Sequence, residues 1–145
     1  MPNGTLVSMQ LVPEALQLSA ALRALLDAKL DTLEKLEIAL ALRGAGALTI
    51  EMLARQLQVG PDALGQVAAE MARAKVVTIT TDVVTLVLDD AGARLVDEAS
   101  DVYKQNRPEL MRAFSTIAMD RIRRMAARTF ADAFQLRKKK DGDHG

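Results

Sequence analysis

The chain has 145 residues, half of them hydrophobic, with 19 basic and 19 acidic side chains and a formal net charge of zero. That length and apolar content suit one packed domain with helical extensions and exclude global disorder. The zero net charge excludes a global field that draws in nucleic acid, and the lack of cysteine excludes disulfides, thiolate metal sites and thiol catalysis.

Residues 1–12 carry Pro2, Gly4 and scattered apolar side chains and read as a loose arm. Pro13 suits the first turn of a helix. Leu16, Ala20, Leu22, Leu25, Leu26 and Leu30 then recur at three- and four-residue steps, which predicts an N-terminal helix over residues 13–30. Asp31 or Thr32 caps the next helix, with Glu34 favourable at its positive end. Leu33, Leu36, Ala39, Leu40 and Leu42 supply its core face up to the stop at Gly44-Ala45-Gly46. Thr49 caps a third helix, with Ile50, Leu53, Ala54 and Leu57 inward. Gln58-Val59-Gly60-Pro61 makes a tight turn. Val59 is expected as its buried plug, and Gly60 and Pro61 end one helix and start the other.

A second apolar-periodic run from Asp62 to Lys75 places Leu64, Ala68 and Met71 inward, with Val67 at the edge. Two β-branched runs follow, Val76 to Thr80 and Val83 to Leu88, joined near Thr81-Asp82 as a short hairpin. From Ala91 to Asn106 the pattern is helical, with Leu95, Val96, Ala99, Val102 and Tyr103 on the apolar side. Arg107-Pro108 interrupts it, because a residue before proline avoids the helical region. Pro108 opens the longest helix, to about Arg137. Met111, Phe114, Ala118, Ile122, Met125, Thr129 and Ala133 form one narrow stripe along it, with Phe130 and Phe134 beside the stripe. Residues 138–145 read as a polar tail that frays. Aromatics make up only 3% of the chain, so the core is aliphatic, which favours helices.

The order helix, tight turn, helix, hairpin from Thr49 to Gly92 resembles a winged helix-turn-helix. Thr49, Leu53-Ala54, Val59, Pro61, Leu64, Met71 and Gly92 fall where that fold needs them. Leu88-Asp89-Asp90-Ala91-Gly92 resembles the usual exit from a wing into the following helix. The resemblance implies a mainly α fold with a small β-hairpin, a winged helix-turn-helix core over residues 31–106 flanked by N- and C-terminal helices. Residues 107–137 would be a long dimerisation helix. In size and order the chain is similar to the multiple-antibiotic-resistance (MarR) type of bacterial regulator, which implies a dimeric, cytoplasmic transcription regulator that binds DNA. Asp31-Thr32-Leu33-Glu34-Lys35-Leu36 and Thr129-Phe130-Ala131-Asp132-Ala133-Phe134 also resemble segments of small stand-alone bacterial winged-helix proteins, a resemblance that implies no function.

The charges are unevenly placed. From Thr49 to Asp90 three bases face six acids, a balance of −3. From Lys104 to Lys140 eleven bases face three acids, a balance of +8. In a DNA-reading winged helix the second helix of the motif enters the major groove and its outward residues read base edges. Here that outward set is Asp62, Ala63, Gly65, Gln66, Ala69 and Glu70. Gln66 alone is built to read a base, as a bidentate partner of adenine. Asp62 and Glu70 are expected to face and repel phosphates, and Arg73 and Lys75 suit backbone contact. The wing tip, Thr80-Thr81-Asp82, is not basic. Arg121, Arg124 and Arg128 share one side of the last helix and make a second candidate nucleic-acid surface, beside the plainer reading of a solvated face. The expected dimer interface is Met111, Phe114, Ala118, Ile122, Met125, Phe130 and Phe134.

No catalytic, metal or cofactor site is expected. His144 is the only histidine, and there is no Gly-rich phosphate loop, no nucleophile beside a base and no carboxylate cluster at metal spacing. No signal peptide and no membrane span are expected either. Two readings stand: a dimeric DNA-binding regulator, argued from what the fold usually does, and a winged-helix module that binds protein, argued from the acidic or neutral motif itself. A basic strip beside Gln66 and Arg73 would favour the first, an apolar or acidic surface the second.

Overall fold

The computed structural model describes residues 17–143, with side chains described through Arg137. The expected loose arm, Pro13 and Leu16 lie outside the described residues. The described residues divide into two units, one up to Phe114 and one from Ser115 onward.

In the first unit, α1 (Ala20–Ala28) starts later than the leucine spacing predicts. Ser19 has extended backbone angles, and its hydroxyl accepts from the Leu22 amide at 3.1 Å, so the helix cannot run through it from Pro13. Glu98 holds that cap by accepting from both the Ser19 amide (3.0 Å) and hydroxyl (2.8 Å). Leu18, Leu22, Leu26 and Leu30 are buried, while Ala20, expected inward, is exposed.

α2 (Leu33–Ala45) is the central helix. Thr32 caps it, accepting from the Lys35 amide at 3.2 Å, and Asp31 instead pairs with the Lys35 ammonium at 2.8 Å. Leu36, Ile38, Ala39 and Leu42 are buried. Ile38 was not on the expected face. It is inward because elements pack on more than one side of α2. Gly46 ends the helix at φ 88°, a conformation that suits glycine.

β1 (Ala47–Thr49) is a strand that the sequence reading lacks, since three residues are too few to show alternation. Thr49 then caps α3 (Ile50–Leu57) by accepting from the Met52 amide at 3.1 Å. The helix ends at Gln58, not at the expected Gly60. Gln58 takes the left-handed conformation (φ 56°, ψ 46°), and Gly60 is extended, ahead of Pro61 at the start of α4 (Pro61–Arg73). Leu64, Ala68 and Met71 are buried as expected. Val59 is not a buried plug: it is 37% exposed, because the turn carries it to the rim of the motif. α4 ends in a paired turn in which Val76 N–H donates to Met71 C=O (2.9 Å) and Lys75 N–H to Ala72 C=O (3.0 Å), with Lys75 at φ 63°.

The wing is β2 (Val77–Thr80) and β3 (Val83–Leu86). Thr81 and Asp82 both have positive φ, 50° and 63°, the two-residue turn that matches strand twist. β3 also pairs antiparallel with β1, Leu48 opposite Val84, so the sheet order is β1-β3-β2. A helix, a short strand, two helices and a two-stranded wing closing one antiparallel sheet make a winged helix. α5 (Asp90–Gln105) starts on Asp89, whose carboxylate accepts from the Gly92 amide at 2.7 Å. A Cβ on Gly92 would stand 3.1 Å from both that carboxylate and Leu88, so the glycine permits the tight exit from the wing.

Asn106 (φ −148°, ψ 61°) breaks the chain between α5 and α6 (Arg107–Asp143). Arg107 lies 4.3 Å over the Tyr103 ring at this joint. α6 begins one residue before Pro108, and it runs on to Asp143, into the segment expected as a frayed tail. Its buried positions are Leu110, Ala113, Phe114 and Ile117; of the expected stripe Phe114 is buried, Met111 is half-buried and the members from Ala118 onward are exposed. A helix buries the side that faces its neighbours, and here that side is rotated from the predicted stripe.

Candidate interaction surfaces

The first surface lies where a winged helix presents its reading face. Thr49 and Ile50 at the start of α3, Pro61, Asp62, Gly65, Gln66 and Ala69 along α4, and Asp82 at the wing tip line an open groove of about 950 Å³. The local sequence sets this geometry. The Thr49 cap fixes where α3 begins, and the Ile50 amide donates to the Asp82 carbonyl at 2.8 Å, which ties the wing turn to that helix start. The wing is therefore short and held against the motif.

Three carboxylates line the groove: Glu51, Asp62 and Asp82. None of its lining residues is basic. Arg55, one turn along α3, reaches Glu51 at 3.3 Å, but both side chains are more than three-quarters exposed, so the pair is weak. Gln66 is exposed in the groove, as its spacing predicts. Arg73 and Lys75 are exposed at the far end of α4 and do not line the groove.

Glu70 departs from expectation. It does not simply face outward: it joins Asp31 around the Lys35 ammonium, at 3.2 Å and 2.8 Å. Burial pushes the Lys35 pKa down, and the hydrogen bonds and charges of the two carboxylates outweigh it, so the ammonium is held above its usual value. This three-residue contact ties the start of α2 to α4. The groove acids that matter are thus Glu51, Asp62 and Asp82. Glu51 and Asp82 were missed as partners because the turn that brings the wing to α3 is a tertiary contact.

Beside the motif, Glu34, Glu37, Ile38, Leu57, Val59, Leu64 and Val67 line a cavity of about 30 Å³, room for roughly one water and no ligand.

The second surface is the helical unit from residue 115 onward. Every described side chain from Ala118 to Arg137 is exposed. Arg121, Arg124 and Arg128 are all exposed within about 60° of arc at ~100° per residue. Arg123 reaches Asp120 at 3.5 Å, and Arg124 Nε donates to the Asp120 carbonyl at 3.4 Å. Of the residues expected at a dimer interface, Phe114 is buried in its own chain and Met111 is half-buried. Ala118, Ile122, Met125, Phe130 and Phe134 are exposed, Ile122 and Met125 at 60% and Phe130 at 74%. Met119 and Leu136, absent from the expected set, are exposed beside them at 50% and 69%.

Among the described residues, no group of three or more His, Cys, Asp or Glu is placed to hold a metal ion, and no helix is long and apolar enough to cross a membrane. No family model matches the chain, and no curated protein matches it. Among solved structures it is similar to a MarR family transcriptional regulator from Streptomyces coelicolor, at 19% identity and a TM-score of 0.43, over 87% of this chain and 94% of that one.

Proposed function

We propose that this is a dimeric winged-helix protein of the regulator type whose helix-turn-helix face receives a polypeptide and not a DNA groove. The observation that carries this reading is the groove itself. Glu51, Asp62 and Asp82 stand on the face that a DNA-reading winged helix turns toward phosphates. DNA affinity needs cations that displace condensed counterions, and none line this groove. Gln66 alone offers a base-edge contact. The surface suits a partner segment rich in lysine or arginine, which would gain from the same field that repels phosphate.

The dimeric part of the reading rests on the exposed apolar side chains of the C-terminal unit. Six large ones, Met119, Ile122, Met125, Phe130, Phe134 and Leu136, are at least half exposed. A run of that kind marks an association surface.

Fluorescence anisotropy with a labelled oligoarginine peptide and with a labelled random duplex tests the reading at low salt. The parent should bind the peptide and not the duplex. Glu51→Lys with Asp62→Lys and Asp82→Lys should lose the peptide and gain the duplex. Duplex binding by the parent that depends on Gln66 would overturn it. A second reading, DNA contact through the last helix, is favoured by the exposed Arg121, Arg124 and Arg128 side.

A further inference from the structure

Resting on the dimeric reading above, we propose that residues 115–137 pair antiparallel with the same segment of a second copy along an eleven-residue apolar repeat. Met119 and Phe130, Ile122 and Ala133, and Met125 and Leu136 each stand eleven residues apart. Five of these six are large side chains at least half exposed. Eleven residues span three turns at about 3.67 residues per turn, so these positions stay on one face of a nearly straight helix. A seven-residue repeat from Met125 would instead put Asp132 in the seam. The face covers about 140° of arc at ~100° per residue, the width of a face that packs against another element.

Charge selects the direction of pairing. Arg121 and Asp132, also eleven residues apart, share one flank of the apolar face. In an antiparallel pair, like flanks meet. A register centred between Ala126 and Ala127 sets Arg121 opposite Asp132 of the second copy, twice by symmetry. The same register sets Met119 opposite Phe134 of the second copy, a favourable sulfur–aromatic pairing. Parallel pairing would bring the two runs of four cations, Arg137 to Lys140, together at one end. Antiparallel pairing holds them roughly 30–40 Å apart at ~1.5 Å rise per residue, several times the screening length of about 8 Å at physiological salt.

The chain has no cysteine, so single-cysteine variants report orientation cleanly. Ala118→Cys and Leu136→Cys chains carrying different tags are co-expressed and treated with a short bis-maleimide. Sedimentation equilibrium is run on the same samples and on the parent. In the antiparallel register, residues 118 and 136 of different copies lie within about 2 Å along the axis, and two copies of residue 118 lie about 25 Å apart. A mixed 118–136 link at least tenfold above either self-link is expected. A 118–118 link overturns the antiparallel seam, as does the absence of a mixed link in samples that sediment as dimers; both leave the dimer standing. A monomeric parent overturns the dimer as well. Should loss of Leu136 dissociate the chains, Ala133→Cys replaces it, displaced by only about 3 Å along the axis.

Discussion

Leu64→Ala compared with Val59→Ala examines the packing of the helix-turn-helix in two adjacent positions. Leu64 is 2% exposed and Val59 is 37% exposed, and both border the same small cavity of about 30 Å³. Truncating a buried leucine loses the transfer free energy of its side chain and leaves a void, a cost of about 2–5 kcal/mol. Leu64 is buried on α4 and shares its small cavity with Ile38 of α2 and Leu57 of α3, so a mid-range loss of about 3 kcal/mol is expected. For a chain of this length that lowers Tm by about 10 °C. Val59 already shows a third of its surface to water, so its truncation should cost about 1 kcal/mol or less. Thermal unfolding by circular dichroism, with urea titration for the free energies, measures both. Equal losses for the two variants would refute the burial difference, and a Leu64→Ala loss below about 1 kcal/mol would refute the packing argument itself.

Thr49→Ala should cost about 1 kcal/mol in the same urea titration, and Thr49→Ser should recover most of it, because the cap needs a hydroxyl on that backbone. The hydrogen bonds from Arg43, helped by its charge, hold the Asp97 carboxyl below its usual value. The pair's contribution is therefore complete above the unfolded carboxylate value of about 3.9 and is lost as pH falls through the lower folded value. Asp97→Asn should lower Tm slightly at neutral pH and leave it unchanged at the acid end, which slightly flattens the fall between; the change is small because both side chains are exposed, and an unaltered acid limb would contradict the pairing. Ile122→Glu with Met125→Glu should make the protein monomeric in sedimentation at high micromolar concentration while α-helix content is kept. If the parent binds duplex DNA at low salt, Arg121→Ala with Arg124→Ala and Arg128→Ala should flatten the logarithmic salt slope by roughly 0.9 per lost contact, whereas Gln66→Ala should alter sequence preference and spare the slope.

The motif was legible because its signals are local. Thr32, Thr49 and Asp89 each cap their own helix, and Leu64, Ala68 and Met71 fall on one face by helical spacing alone. What was missed depends on contacts distant in sequence. β1 exists because Leu48 pairs with Val84. Glu70 turns to Lys35 because α2 lies beside α4. On α6, periodicity identifies apolar residues on more than one side, and only packing decides that Leu110, Ala113 and Phe114 are buried while Ile122 and Met125 are exposed. Gln58 ended α3 in place of Gly60 because glutamine can take the left-handed cap at modest cost. For the interaction surface, the acidic balance of the motif was already visible. The convergence of Glu51, Asp62 and Asp82 was not, since it needs the hydrogen bond from Ile50 to Asp82.

The most direct test of the account is a salt-titrated mobility shift with random duplex, run on the parent and on the Glu51→Lys, Asp62→Lys, Asp82→Lys variant. The acid-lined groove predicts no shift for the parent even at low salt. It predicts binding by the variant with a logarithmic salt slope of up to about −2.7 if each lysine engages one phosphate. A parent that shifts the duplex at low salt, and loses the shift when Gln66 and Arg73 are replaced by alanine, would contradict it.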